Sequence, residues 1–239
     1  MVRPHRLSPV GFGVMVIAVL ALAGCAASPG GSPSDPPSVV DDPDLGAAWL
    51  DSGRMIGLVT LGSSTCIPTS DDEADYDGGV LQVQLAFPAA DQPCTNDLVP
   101  RVTLVDLPQG VDPADDLVIE VTGEEYAGEV ELAGVADLDP GGETDYEPSA
   151  GWATTADQFV ILTWGSSTCL PQIEDVAATA PAEVTVTYVT PPSDEVCTLD
   201  MVPRGAVAAV TGLEDDADIM LVLAGAEFAG ATLPIYGTN

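Results

Sequence analysis

Apolar and polar side chains alternate strictly in two short stretches of the chain. Leu81, Val83, Leu85 and Phe87 fall on one face with Gln82, Gln84 and Ala86 on the other, and Val184, Val186 and Tyr188 oppose Thr185, Thr187 and Val189 in the same way. A period of two is that of a pleated strand with one buried face, so both stretches are predicted strands. Arg54 to Leu61 and Gln158 to Trp164 read as the strands before them, and Arg101 to Leu107 and Arg204 to Val210 as the strands after them. Leu117, Ile119 and Val121, mirrored by Ile219, Leu221 and Leu223, predict a further pair; Glu129 to Leu132 and Ala231 to Ile235 predict a closing pair. Only Leu45 to Ser52 carries a mildly helical pattern. The expected fold class is all-β.

The strands come in matched pairs because the sequence repeats. Gly62-Ser63-Ser64-Thr65-Cys66-Ile67-Pro68 returns as Gly165-Ser166-Ser167-Thr168-Cys169-Leu170-Pro171, 103 residues on. Cys94-Thr95-Asn96-Asp97-Leu98-Val99-Pro100-Arg101 returns at the same offset as Cys197-Thr198-Leu199-Asp200-Met201-Val202-Pro203-Arg204. Trp49 and Trp152 share that offset, whereas Tyr126-Ala127-Gly128 returns as Phe228-Ala229-Gly230 at 102, so one residue has been gained or lost in a loop. The predicted organisation is two homologous small antiparallel sheet or sandwich units in tandem, residues 47–136 and 150–239, joined by a charged, turn-rich linker at 137–149. Units of roughly 90 residues are small for an independent core, and disulfides are the usual remedy in an oxidising compartment. Four cysteines beyond Cys25 permit three connectivities. The duplication selects Cys66 with Cys94 and Cys169 with Cys197, because only that pairing lets each copy fold by itself.

Upstream of the repeats, Arg3, His5 and Arg6 precede an apolar run from Val10 to Ala23. The run falls short of the roughly 20 residues that span a bilayer and matches a signal-peptide core. Its ending, Leu22-Ala23-Gly24-Cys25, resembles a bacterial lipobox. That resemblance implies a lipoprotein signal peptide at 1–24, removed so that a diacylated Cys25 anchors the chain to the outer face of the cell membrane; the competing expectations are an ordinary signal peptide cleaved near Ala26 or Ala27, or an uncleaved anchor. Residues 25–46, rich in Pro, Gly, Ser and Asp, have almost nothing to bury and predict a flexible tether.

Charge narrows the chemistry. Lys+Arg number 5 against 38 Asp+Glu, and all five basic residues are arginine. Without the signal peptide only Arg54, Arg101 and Arg204 remain, and the single histidine, His5, is gone. Nucleic acid is excluded as a partner because phosphate affinity is built from Lys and Arg, and a polybasic membrane patch is excluded for the same reason. Ser-His-Asp and Cys-His units, lysine Schiff bases and His-ligated zinc are excluded with them. This composition resembles that of secreted proteins from high-GC actinobacteria; a halophilic source is the competing explanation of the acidity.

The repeated motifs supply the site candidates. Ser63, Ser64 and Thr65, with Ser166, Ser167 and Thr168, suit three uses: a turn folded onto the disulfide, a polar ligand loop, or a nucleophile with only carboxylates for a base. Arg101 and Arg204 suit an ion pair with Asp97 and Asp200, a tie to loop carbonyls, or anion recognition. Glu73, Asp75 and Asp77 before Gly78 follow the alternate-oxygen spacing of an EF-hand loop, with Asp71 a further candidate in the same acidic cluster, but Gln84 stands where the bidentate acid belongs. The expectation there is a solvated acidic loop, with weak calcium binding as the alternative. No other cofactor is expected.

The combination of Trp164 to Pro171 with Cys197 to Arg204 resembles modules of secreted or lipid-anchored actinobacterial proteins. The resemblance covers most of residues 48–236, twice over, and implies location and modular build rather than an activity. Leu61 stands where the second copy has Trp164, so that tryptophan lies outside the shared design. The expected function is a lipid-anchored, extracytoplasmic, non-catalytic envelope binding or interaction module. Its expected partners are the bilayer, through Cys25, and an envelope protein or ligand met by the Ser-Thr loops or a sheet edge. The alternatives are a calcium-dependent adhesion or structural module and a Ser- or carboxylate-based hydrolase.

Overall fold

The structure is a computed structural model and describes residues 44–70, 74–89, 91–123, 126–215, 217–228 and 230–239. Cys25 and its surroundings lie outside the described residues, as do Asp71 and Glu73. Among the described residues every regular element apart from one 3-10 turn at Asp51–Gly53 is a strand, and the fold is all-β as the alternation predicts. The first copy holds β1 Gly46–Leu50, β2 Met55–Gly62, β3 Thr69–Ser70, β4 Asp75–Asp77, β5 Val80–Ala86, β6 Val99–Asp106, β7 Leu117–Gly123 and β8 Tyr126–Leu132. The second holds β9 Ser149–Trp152, β10 Gln158–Gly165, β11 Ile173–Ala180, β12 Glu183–Tyr188, β13 Val202–Ala209, β14 Met220–Gly225 and β15 Ala231–Tyr236. The mildly helical stretch at Leu45 to Ser52 is therefore strand β1 running into the 3-10 turn. Its five strand residues are buried on both faces, and pairing with β2 overrides the weak helical pattern.

Each copy is a small sandwich. In the first, β1-β2-β6 faces a sheet built on β3, β5, β7 and β8, with β4 hairpinned onto β5. Trp49, Ile56, Leu58 and Val105 from one layer meet Leu81, Val83, Leu85, Ile119 and Val121 from the other. The second copy repeats this core with Trp152, Phe159, Ile161, Val184, Val186, Leu221 and Leu223. The alternating residues of β5 and β12 thus point inward as expected. Neither copy is wholly antiparallel, because the chain leaves β5 for β6 in the opposite layer and returns to lay β7 parallel to β5; β12 and β14 repeat that crossover. In the second copy β15 also pairs in parallel with β9, joining the two layers into one seven-stranded sheet. At the corresponding seam of the first copy, the Trp49 indole N–H donates to Ala133 O at 2.8 Å.

The copies slip by one residue between β6 and β7, since Leu117, Ile119 and Val121 match Ile219, Leu221 and Leu223 at an offset of 102 where the earlier strands match at 103, and the last hairpin restores the register. Val121 pairs with Gly128, whereas Leu223 pairs with Ala231, so the second hairpin contains the extra residue and β15 returns to the offset of the earlier strands.

The copies form a single packed unit rather than independent tandem bodies. The outer face of β1-β2-β6 presents Ala48, Leu50, Met55, Val59 and Val102, which join Val160 and Leu162 of β10 in a third apolar cluster. Strands β2 and β10 are therefore buried on both faces. That is why Ile56 to Val59 and Phe159 to Leu162 read as apolar runs interrupted only by Gly57, where a half-buried strand would alternate. Two positions contact their own counterparts: a Cβ on Gly57 would lie 2.9 Å from Val160 Cγ1, and a Cβ on Gly205 would lie 2.7 Å from Val102 Cγ1. Self-contact of equivalent positions marks a two-fold pseudosymmetry axis. On each such contact one copy supplies valine and the other glycine, since two valines would overlap. Across the same junction Thr154 N donates to Ala47 O at 3.1 Å, and Asp51 N donates to Ser149 Oγ at 2.8 Å.

Candidate functional site

The repeated motifs converge in space at one end of each copy. Disulfides join Cys66 to Cys94 and Cys169 to Cys197, as the duplication predicts. Each brings the Ser-Ser-Thr loop after β2 or β10 against the Cys-Thr segment before β6 or β13. In the first copy the Ser63 and Thr95 hydroxyls lie 2.7 Å apart, Thr95 N donates to Thr65 Oγ1 at 3.0 Å, and Ser64 N donates to Asp97 Oδ1 at 3.1 Å. The second copy reproduces the arrangement with Ser166, Thr198, Thr168, Ser167 and Asp200 at 2.7, 3.1 and 3.1 Å. Thr95 and Thr198 each also donate a short hydrogen bond to the neighbouring aspartate.

These donors set the aspartate charge. Hydrogen bonds from the Thr95 hydroxyl, then from the Ser64 hydroxyl and N–H, hold Asp97 at about 2 against an ordinary 3.8. Ser167 and Thr198 do the same for Asp200, also to about 2. A carboxylate so favoured in its charged form has a lowered affinity for protons. The cluster folds the loop back on itself and satisfies the loop's own donors.

Both arginines pin the same loops from beneath. Arg101 Nη1 donates to Ser63 O at 3.4 Å and to Cys66 O, while its Nε reaches Thr60 Oγ1 at 3.3 Å. Arg204 donates to Cys169 O at 3.2 Å and Trp164 O at 2.8 Å, and pairs with Glu227 at 2.5 Å. Of the three uses open to these arginines, the tie to loop carbonyls is the one formed; the i,i+4 pairs are not, because Asp97 and Asp200 are spent on the hydroxyl clusters. The motif glycine belongs to this design, because a Cβ on Gly165 would lie 2.6 Å from the Arg204 guanidinium carbon and one on Gly62 would overlap that of Arg101. The third arginine, Arg54, clasps Asp51 at 2.9 Å through both Nε and Nη2 and reaches Gly141 O at 3.5 Å, tying the linker down.

What the loops expose differs between copies. Beside Cys169–Cys197 lies a cleft of about 510 Å³ whose walls include Leu170, Pro191, Pro192, Leu199, Met201 and Arg204. Leu199 is fully exposed at 104%, with Leu170 at 62% and Met201 at 58%; Val196, next to Cys197, is 90% exposed. These apolar side chains stand on the surface of a chain otherwise rich in carboxylates. The first copy keeps exposed Ile67 and Leu98 at the positions of Leu170 and Met201, but has Asn96 for Leu199 and Pro93 for Val196. Sequence reasoning singled out the hydroxyls and missed these apolar positions; the available signal was that Leu199 and Val196 break the repeat while the residues around them keep it. Within the second copy, Tyr188 Oη and Arg204 Nε are buried without hydrogen-bond partners, and burial pushes the Tyr188 hydroxyl pKa up.

The calcium candidates present no assembled site among the described residues. Asp75 and Asp77 lie on strand β4, register-paired with Gln82 and Val80, and both are exposed. Among the described residues one trio of metal-ligating side chains lies close enough to share an ion, Cys169, Glu195 and Cys197, and both its sulfurs are consumed by the disulfide. No protein-family model, curated protein or solved structure matches the chain.

Proposed function

We propose that this chain is a lipid-anchored, extracytoplasmic binding module that acts without catalysis and contacts its partner through the cleft of the second copy. The observation that carries this reading is the set of exposed apolar side chains at Leu170, Val196, Leu199 and Met201, held on a loop made rigid by a disulfide and a buried arginine. A preformed apolar surface loses little freedom on binding. The non-catalytic part rests on the hydroxyl clusters, whose aspartates have a lowered affinity for protons. The location rests on the lipobox-like ending at Cys25 and on two disulfides, which suit an oxidising compartment.

Two experiments test it. Cys25→Ser should move the protein from the membrane fraction to the medium, and incorporation of labelled palmitate should be lost with it; a variant that stays membrane-bound removes the anchor. A photoreactive benzoylphenylalanine placed at Leu199 should cross-link to an envelope component on intact cells, while the same probe at Asn96 should not. Equal yields at the two positions, or none at either, would overturn the binding role of the second copy.

A further inference from the structure

We propose that the cleft beside Cys169–Cys197 receives a cationic, apolar segment of a partner polypeptide, with aliphatic side chains in the cleft and lysine or arginine on its acidic rim. This names the ligand class of the binding reading above and rests on it.

The walls and the rim make different demands. Leu170, Leu199 and Met201 offer aliphatic surface, Pro191 and Pro192 add a wall of low conformational freedom, and the unbranched Met201 adapts to the shape it meets. The volume, about 510 Å³, lies within the range of ligand sites. Of the charged side chains lining the cleft, Glu195, Asp200 and Glu227 are acidic, and the single cation, Arg204, is 6% exposed and already paired with Glu227. A ligand carboxylate would face net repulsion there, whereas a ligand ammonium or guanidinium would be attracted from a distance by a chain with 38 carboxylates.

The chain cannot fill this cleft itself. Its tether carries Asp35, Asp41, Asp42 and Asp44 and no basic residue between Cys25 and Gly46. A second copy would bring the same acid excess, and its cations are committed: Arg54 to Asp51, Arg101 to the loop carbonyls, and Arg204 to Glu227. Charge complementarity therefore requires a different, basic polypeptide.

The test uses the full chain, purified in detergent, and fluorescence anisotropy with three labelled octapeptides: alternating Leu-Lys, alternating Ser-Lys and alternating Leu-Glu. The Leu-Lys peptide should bind at least ten-fold more tightly than either control. Leu199→Asn combined with Met201→Ser should weaken it at least ten-fold, and Leu98→Ser in the first copy should leave it unchanged. Glu195→Gln should weaken it about two-fold and flatten its salt dependence. Unchanged far-UV circular dichroism and melting temperature establish that each variant is folded, as expected for exposed side chains. Equal binding of Ser-Lys and Leu-Lys, or indifference to the Leu199 and Met201 changes, would reduce the effect to general attraction by an acidic surface and overturn the proposal. Tighter binding of Leu-Glu would assign the cleft to an anion and overturn it too. If Leu-Lys fails while the Leu199 cross-link still forms, the ligand class falls and the binding reading stands; if both fail, both fall.

Discussion

The two copies share a strand crossover, a disulfide, a hydroxyl cluster and an arginine tied to the loop carbonyls, yet they differ where they touch each other and where they meet solvent. At the pseudosymmetry axis Gly57 faces Val160 and Gly205 faces Val102, so each copy supplies one of the two glycines. At the disulfide loops the second copy alone has Leu199 and Val196, exposed, where the first has Asn96 and Pro93. The shared features are those each copy needs in order to fold. The differences fall where exact symmetry is impossible, on the axis, or where it is unnecessary, on the exposed loop. After duplication the first kind of site must diverge for steric reasons, and the second is free to specialise.

The largest effect expected concerns what the copies share. Replacing Cys66 and Cys94 with serine, or Cys169 and Cys197, should cost about 3 to 4 kcal/mol in either copy, because each bridge closes a loop of the same length, a sequence separation of 28. Denaturant melts should show similar losses, but only the second pair should weaken the Leu199 cross-link. A stability difference well beyond 1 kcal/mol between the pairs would break the equivalence. At the axis, Gly57→Val should destabilise by roughly 1 to 3 kcal/mol through overlap with Val160, and the swap Gly57→Val with Val160→Gly should recover at least half of that. No recovery in the double variant would remove Val160 as the residue that requires glycine opposite. A smaller contrast separates the tryptophans. Trp49→Phe gives up the hydrogen bond to Ala133 O, whereas the Trp152 indole N–H has no partner to lose, so thermal melts should put Trp49→Phe about 1 kcal/mol below Trp152→Phe.

The smallest effect is a shared one. Asp97 and Asp200 are depressed from 3.8 to about 2, so their stabilisation is fully present above pH 4 and is lost as pH falls from there through about 2. Asp97→Asn and Asp200→Asn should each lower the melting temperature slightly at pH 7 and flatten its fall between pH 4 and 2. Melting curves across that range check this, and a variant as acid-sensitive as the parent would detach the aspartates from loop stability.

Much of the architecture was readable beforehand because its causes are local. The alternation at Leu81 to Leu85 and at Val184 to Tyr188 reports one buried face, and these residues are buried in the two cores. The cysteine pairing followed from each copy folding on its own loop. Leu45 to Ser52 misled because five consecutive buried residues in β1 serve two cores at once, which erases the period of two. The arginines were open to three readings because a side chain can reach a carbonyl, a carboxylate or a ligand equally well from the same position in sequence. The structure places Arg101 and Arg204 on carbonyls, and only the glycine preceding each Ser-Ser-Thr hinted at a guanidinium lying over it.

The sequence by itself determined strands β2, β5, β6, β7 and β8 with their counterparts, the duplication, the bridges and the acid excess, since each is written in spacing or composition along one stretch of chain. Tertiary structure alone decided that β2 and β10 are buried on both faces, that the copies meet about a two-fold axis, and that Leu199 stands out beside a cleft while Asp97 and Asp200 are consumed by neighbouring hydroxyls. The physical reason is that periodicity records whether a residue is buried but not by what. The partner of each apolar face is chosen by complementary shapes about a hundred positions away, as Gly57 and Val160 show.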